Sequence, residues 1–181
     1  MDGSAEGLEA YLDREKIRDC IAMLARGEDR RDAATISACY WPDSRIDYGV
    51  FEGSFAEYLA WVVPGSEAIT NTQHVLAQSV IELEGERARA ETHVVSYHRV
   101  DFGGGDEHDT CIGGRYLDKM EKRDGVWRIA HRLMLYDWVQ DWGASNDWST
   151  GVMGLPFSAG HFSGRAQGDF SETFFRQKVP A

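Results

Sequence analysis

Apolar side chains at Leu8, Tyr11, Leu12, Ile17, Cys20, Ile21 and Leu24 keep the three- and four-residue spacing of a helix with one buried stripe over residues 6–26. Gly27, after a basic last turn, reads as its stop. Asp32 is placed to cap a short second helix running to residue 40, with Ile36, Cys39 and Tyr40 packing inward, and Trp41-Pro42-Asp43 ends it. Residues 45–50 read as a short strand. Ser54-Phe55-Ala56-Glu57 forms a capping box that opens a third helix, closed by Pro64.

After Ile69 the period changes from helical to two. Residues 71–83, 87–100, 108–122 and 126–138 read as long strands. Glu84-Gly85-Glu86 joins the first two, Asp124-Gly125 the last two, and Phe102 to Asp106 forms a glycine-rich tip between the middle pair. Helices followed by an antiparallel meander make an α+β domain, with a curved sheet wrapped over the helices. Residues 1–142 form that domain. Residues 143–181 lose the periodicity but keep Trp148, Phe157, Phe162, Phe170, Phe174 and Phe175, which predicts an extension packed on the domain or on a neighbouring subunit.

Alternation sorts the strand side chains by face. In the second long strand Ala88, Ala90, Thr92, Val94, Ser96 and His98 share the smaller, more apolar face, which is assigned to the concave side. In the third, Ile112, Gly114 and Tyr116 share a face. In the last, unbroken alternation groups Trp127, Ile129, His131, Leu133 and Leu135. His74, His98, His131 and Tyr116 then converge on one hollow, and Val95, Tyr97, Met134 and Tyr136 form an apolar strip on the convex side.

Composition narrows the possibilities. The 181 residues suffice for one domain with a sizeable core, and 43% hydrophobic with 12% aromatic residues excludes wholesale disorder. A net charge of −11 argues against nucleic acid or an anionic membrane surface as a partner. No apolar run approaches the roughly 20 residues of a membrane span, and the acidic N-terminus lacks a secretory layout, so a cytoplasmic location is expected. Cys20, Cys39 and Cys111 lack metal-binding or disulfide spacing, and no nucleotide fingerprint appears. No metal site and no cofactor are expected.

The chemistry candidates are Asp29, within Gly27-Glu28-Asp29-Arg30-Arg31-Asp32, and His74. A carboxylate holding one imidazole nitrogen as a donor leaves the other free to take a proton. On spacing alone, a solvated charge cluster beside a satisfied strand histidine remains open.

Gly27 to Arg30, Tyr40 to Asp43, Thr72 to His74, Tyr97 to Arg99, Gly113 to Asp118 and Arg123 to Arg132 together resemble the SnoaL-like group of the nuclear transport factor 2-like superfamily. The resemblance covers about residues 8–140. It implies an α+β cone with a hydrophobic pocket at its open end, and it extends to scytalone dehydratase, hexachlorocyclohexane dehydrochlorinase and bile-acid dehydratase. In those lyases an Asp–His dyad works without a cofactor. Here it implies Asp29 and His74 as the dyad, with His98 and His131 as further catalytic groups. Tyr116, Tyr48, Leu24, Val94, Ser96 and Leu133 are the expected substrate contacts. Leu24 and Glu28 depart from residues used by some of these lyases.

The expected function is a cofactor-independent lyase acting on a bulky, aromatic, hydroxylated small molecule. Dehydration and retro-aldol cleavage, such as formaldehyde loss from an aromatic diol, use the same parts, and either would suit aromatic compound catabolism. A polyketide-type cyclase or isomerase, and a non-catalytic binding module, are the alternatives. Family members pair or trimerise through the sheet, so a homo-oligomer, dimer or trimer, is expected.

Overall fold

The computed structural model describes residues 3–147, 151–158, 161 and 169–176. Three helices lead: α1 (Gly3–Arg30), α2 (Ala33–Cys39) and, after strands β1 (Tyr40–Asp47) and β2 (Glu52–Ser54), α3 (Phe55–Val62). Four long strands come next: β3 (Ile69–Glu84), β4 (Arg87–Asp101), β5 (Glu107–Arg123) and β6 (Val126–Ala144), then a short α4 (Phe170–Arg176). The strands make one curved, unclosed sheet in the order β2-β1-β6-β5-β4-β3, antiparallel except where β1 runs parallel to β6. The α+β architecture agrees with the sequence pattern.

The first helix does not stop at Gly27. It continues to Arg30, and Gly27 is instead where α2 crosses α1: an added Cβ would lie 3.0 Å from the Ile36 side chain and 3.2 Å from its backbone nitrogen. The actual stop is a Schellman turn, with Asp32 N–H donating to Gly27 C=O and Arg31 N–H to Glu28 C=O. Arg31 takes the left-handed position at φ 52°, usually given to glycine. Its guanidinium offsets that cost by donating to the carbonyls of Pro64, Ser66 and Ile69 at 2.7–3.0 Å. Those bonds tie the helix end to the α3–β3 loop. Asp32 then caps α2, and the Ser54–Glu57 capping box opens α3 as the spacing implies. The strand β1 begins earlier than the pattern indicates, and Pro42 falls where its pairing with β6 is interrupted, between Tyr40 and Arg45.

Ile17, Ile21 and Leu24 of α1 pack with Ile36, Tyr40, Ile46, Met120 and Ile129 into the core between helices and sheet. Strand β4 keeps unbroken alternation, and Ala88, Ala90, Thr92, Val94 and Ser96 are all buried on the helix side. Strand β6 does not. Its pairing with β5 skips Ala130 and later Asp137, two bulges that each turn the next side chains to the other face. Lys119 pairs with His131 and Leu117 with Leu133, both on the outer face, while Asp118 pairs with Arg132 and Tyr116 with Met134 on the inner one. His131 and Leu133, expected in the hollow, therefore face outward. Arg132, Met134 and Tyr136 face inward, and the convex strip loses Met134 and Tyr136.

Of the C-terminal extension, Asp169 forms an ion pair with Arg30 at 2.9 Å, and Ser171 accepts from Arg26 at 3.2 Å, so its described end lies against α1. Trp148 and Phe162 lie outside the described residues, as does the side chain of Phe175.

Candidate active site

Because the Schellman turn closes α1 just after Arg30, Glu28 and Asp29 occupy its last positions, pointing about 100° apart around the axis. Each meets a different wall of one cavity, of about 320 Å3, that opens between the helices and the concave sheet face. On one wall Asp29 reaches β3. Its carboxylate accepts from the backbone N–H of His74 at 3.1 Å and lies 2.7 Å from Nδ1 of the same residue. The double contact fixes both the strand and the ring. With Nδ1–H donated to Asp29, Nε2 is left as an acceptor. The pair is almost enclosed, with side-chain exposures of 12% and 11%. Burial disfavours the imidazolium, but the hydrogen bond and charge of Asp29, with the charge of Glu28, outweigh it and raise the His74 pKa above its ordinary value.

His98 stands edge-on to His74, ring centres 6.1 Å apart. Burial, then the neighbouring His74, pushes its pKa down to about 4, so it is neutral at physiological pH. Its Nδ1 is buried with no hydrogen-bond partner among the described residues. Ser96 and Thr72 complete this side.

On the other wall Glu28 meets the phenols of Tyr48, just after β1, and of Tyr58 on α3. The hydroxyls of Tyr58 and Tyr48, the latter at 3.2 Å, both donate to Oε1 of Glu28, and the two rings stack 5.6 Å apart. Burial, then the Glu28 charge, raises both phenol pKa values well above the ordinary range, so both stay protonated. Behind this wall Arg132 and Asp118 form a two-pronged pair at 2.7 and 2.8 Å, both essentially inaccessible, with the guanidinium 3.9 Å over the Tyr116 ring. Tyr116, Ile112 and Met134 form the floor, and Trp61, Val62 and Tyr136 the rim. Tyr136 closes the rim by donating to the Tyr48 carbonyl at 2.8 Å.

The structure thus brings Asp29, His74, His98, Ser96, Tyr48 and Tyr116 together around one cavity. It does not bring His131 or Leu133 there, because of the β6 bulge at Ala130. Leu24 is fully buried in the core, and Val94 packs beneath Tyr116 and Met134 without lining the cavity. Glu28, Tyr58, Trp61 and Met134 are among the cavity groups that sequence reading missed, as is Arg132 behind the wall. Glu28 was legible as the acidic neighbour of Asp29, one helical step away. Arg132 was not, since its facing depends on the bulge.

The sequence profile of the SnoaL-like domain family matches residues 9–133, the segment that carries both walls. The chain belongs to the SnoaL-like family. Among solved structures, this SnoaL-like chain is similar to the dehydrochlorinase LinA-type3 from Novosphingobium barchaimii, with TM-score 0.67 and 16% identity over 84% of this chain and 98% of that one. A scytalone dehydratase-like protein from Novosphingobium aromaticivorans aligns with TM-score 0.64 and 18% identity over 76% and 93%. A nuclear transport factor 2-like superfamily protein from Salmonella enterica aligns with TM-score 0.62 and 16% identity over 80% and 97%. At these identities the likeness is one of fold, which is nuclear transport factor 2-like. No curated protein sequence matches the chain. No described helix is long and apolar enough to cross a membrane.

Proposed function

We propose that this SnoaL-like protein is a cofactor-independent lyase acting on a bulky, aromatic, hydroxylated small molecule. The observation that carries the reading is the 2.7 Å contact between Asp29 and Nδ1 of His74 in the wall of an open-mouthed, aromatic-lined cavity. Asp29 holds the tautomer whose Nε2 accepts a proton and stabilises the imidazolium that results. His98, neutral and beside it, adds no repelling charge. His98 and Tyr116 can each donate to a leaving or rearranging group.

Both expected reactions balance with these groups. In a dehydration, His74 takes a proton from carbon, the freed electron pair forms the carbon–carbon double bond, and hydroxide leaves as water with a proton from the acid. In a retro-aldol cleavage, His74 takes the proton from the terminal hydroxyl, the pair on oxygen forms the carbonyl of the departing formaldehyde, and the carbon–carbon bonding pair passes to the carbon that stays on the aryl fragment, which is then protonated. Incubating the purified protein with aryl diols and hydroxyketones, and reading product mass, separates the two: a product lighter by one water, or by one formaldehyde. No mass change with rearranged product would replace the lyase by an isomerase.

The dissimilarity of the two chain segments supports residues 1–142 as the catalytic unit and 143–181 as an extension. The outer sheet face still exposes Val75, Val80, Val95 and Trp138, which supports assembly as a homo-oligomer through that face. A monomer mass by light scattering at micromolar concentration would overturn it. Three free cysteines, Cys20, Cys39 and Cys111, are in keeping with a cytoplasmic setting.

A further inference from the structure

Glu28 is only 7% exposed, yet the described residues engage just one of its carboxylate oxygens. Tyr58 and Tyr48 both donate to Oε1, while Oε2 has no partner among the described residues, and the side chain forms part of the cavity wall. That oxygen is open to the cavity and can be hydrated while the cavity is empty, so a ligand that displaces the water loses affinity unless it brings a donor of its own. The phenols cannot serve, since their protons are committed to Oε1. Across the cavity His74 presents Nε2, also an acceptor in the resting state, because Nδ1 faces Asp29.

A hydroxyl or an ammonium could supply the donor, and the surrounding charge selects between them. Arg31 lies at the rim with hydrogen bonds only to carbonyls among the described residues, and Arg132 lies behind Tyr116. A cationic ligand would pass the Arg31 guanidinium, the one of the two that no carboxylate neutralises among the described residues, which disfavours it. Aromatic faces of Tyr48, Tyr58, Trp61 and Tyr116 supply the remaining surface.

We infer that Glu28 is a hydroxyl-recognition residue and that the ligand of this cavity is an aromatic diol, one hydroxyl donating to Oε2 of Glu28 and the other to Nε2 of His74. The second contact rests on His74 being the base; the first does not. The two acceptor walls thereby set the substrate class, selecting paired hydroxyls and rejecting a carbonyl at the Glu28 position.

The test measures binding of 1-phenylpropane-1,3-diol, 3-hydroxy-1-phenylpropan-1-one, 3-phenylpropan-1-ol and 3-phenylpropylamine by calorimetry and by quenching of tryptophan fluorescence. The wild-type chain should bind the diol roughly tenfold or more tighter than each of the others, the scale of one hydrogen bond to a charged acceptor. In Glu28→Gln the amide keeps its carbonyl on the two phenols and turns its NH2 into the cavity, so the preference should equalise or invert toward the hydroxyketone. Wild-type binding of the monool or hydroxyketone as tightly as the diol would overturn the inference. So would tightest binding of the amine, or an unchanged preference in a folded Glu28→Gln. Because the wild-type panel decides by itself, a variant that fails to fold leaves the test intact. Diol selectivity without turnover would leave Glu28 recognition standing and remove the lyase reading. His74-dependent turnover without diol selectivity would do the reverse.

Discussion

Two adjacent carboxylates on the last turn of α1 are held in opposite ways. Asp29 grips an imidazole on β3, and Glu28 is gripped by two phenols, Tyr48 just after β1 and Tyr58 on α3. Both residues are buried, so burial does not separate them. Their partners do. An imidazole titrates near neutrality, and a carboxylate beside it shifts that titration upward and makes a proton acceptor. Phenols in a buried site keep their protons far above neutrality, and a carboxylate beside them becomes a fixed acceptor that exchanges nothing. One wall is built to move a proton, the other to recognise one.

The largest expected effect tests the first wall. His74→Ala should lower kcat by roughly 10²–10⁴-fold with the fold intact, and Asp29→Asn should lose most activity as well. The double variant should be little worse than the poorer single one, because both residues serve one step. Steady-state kinetics with an identified substrate check this, and near wild-type turnover in His74→Ala would move the base elsewhere.

The same wall has a pH signature. The His74 pKa is raised in the folded state, so its basic form, and with it kcat/KM, should grow as pH rises through a value above the usual 6.5. Stability runs the other way. A raised folded pKa contributes stability fully below the unfolded value, and that contribution is lost as pH rises through the folded one. In Asp29→Asn the burial penalty is opposed only by the Glu28 charge, and the His74 titration should move down from its wild-type position in an NMR titration. If it does not move, the charge asymmetry between the walls is not what sets it.

A next, still sizeable effect concerns stability behind the second wall. Asp118→Asn leaves the Arg132 guanidinium buried without its counter-charge and should cost about 3–5 kcal/mol in denaturant unfolding. Smaller is Tyr58→Phe, which removes one donor from Glu28 and should cost about 1–3 kcal/mol while leaving the His74 titration in place. A moved titration would show that the walls are coupled and blur the distinction between them. The smallest effect belongs to His131→Ala on the outer sheet face: kcat unchanged and stability within about 0.5 kcal/mol. A large loss of activity there would contradict the β6 register.

The pair of strands β4 and β6 shows why the site was only half legible in the sequence. Strand β4 pairs without interruption, so alternation read from the residues alone put Ser96 and His98 on the concave face, where they lie. In β6, each bulge reverses the facing of the residues after it, and nothing in Ile129-Ala130-His131-Arg132 marks the extra residue locally. The bulge exists because β6 must satisfy β5 on one side and the parallel β1 on the other. Gly27 misled for a related reason: it serves a close crossing of two helices that are not yet adjacent when the helix is read on its own.

By itself the sequence determined the N-caps of α2 and α3, the hairpins, the α+β order and the candidate pair of Asp29 and His74, all of which depend on local geometry or on a single periodicity. Only the tertiary structure decided that Arg132 rather than His131 faces inward, that Glu28 is closed in by Tyr48 and Tyr58, and that one of its oxygens is left to the cavity. Those outcomes depend on pairings between segments far apart in the chain. A bulge or a helix crossing is stabilised by its distant partner, and that partner leaves no mark on the residues it moves.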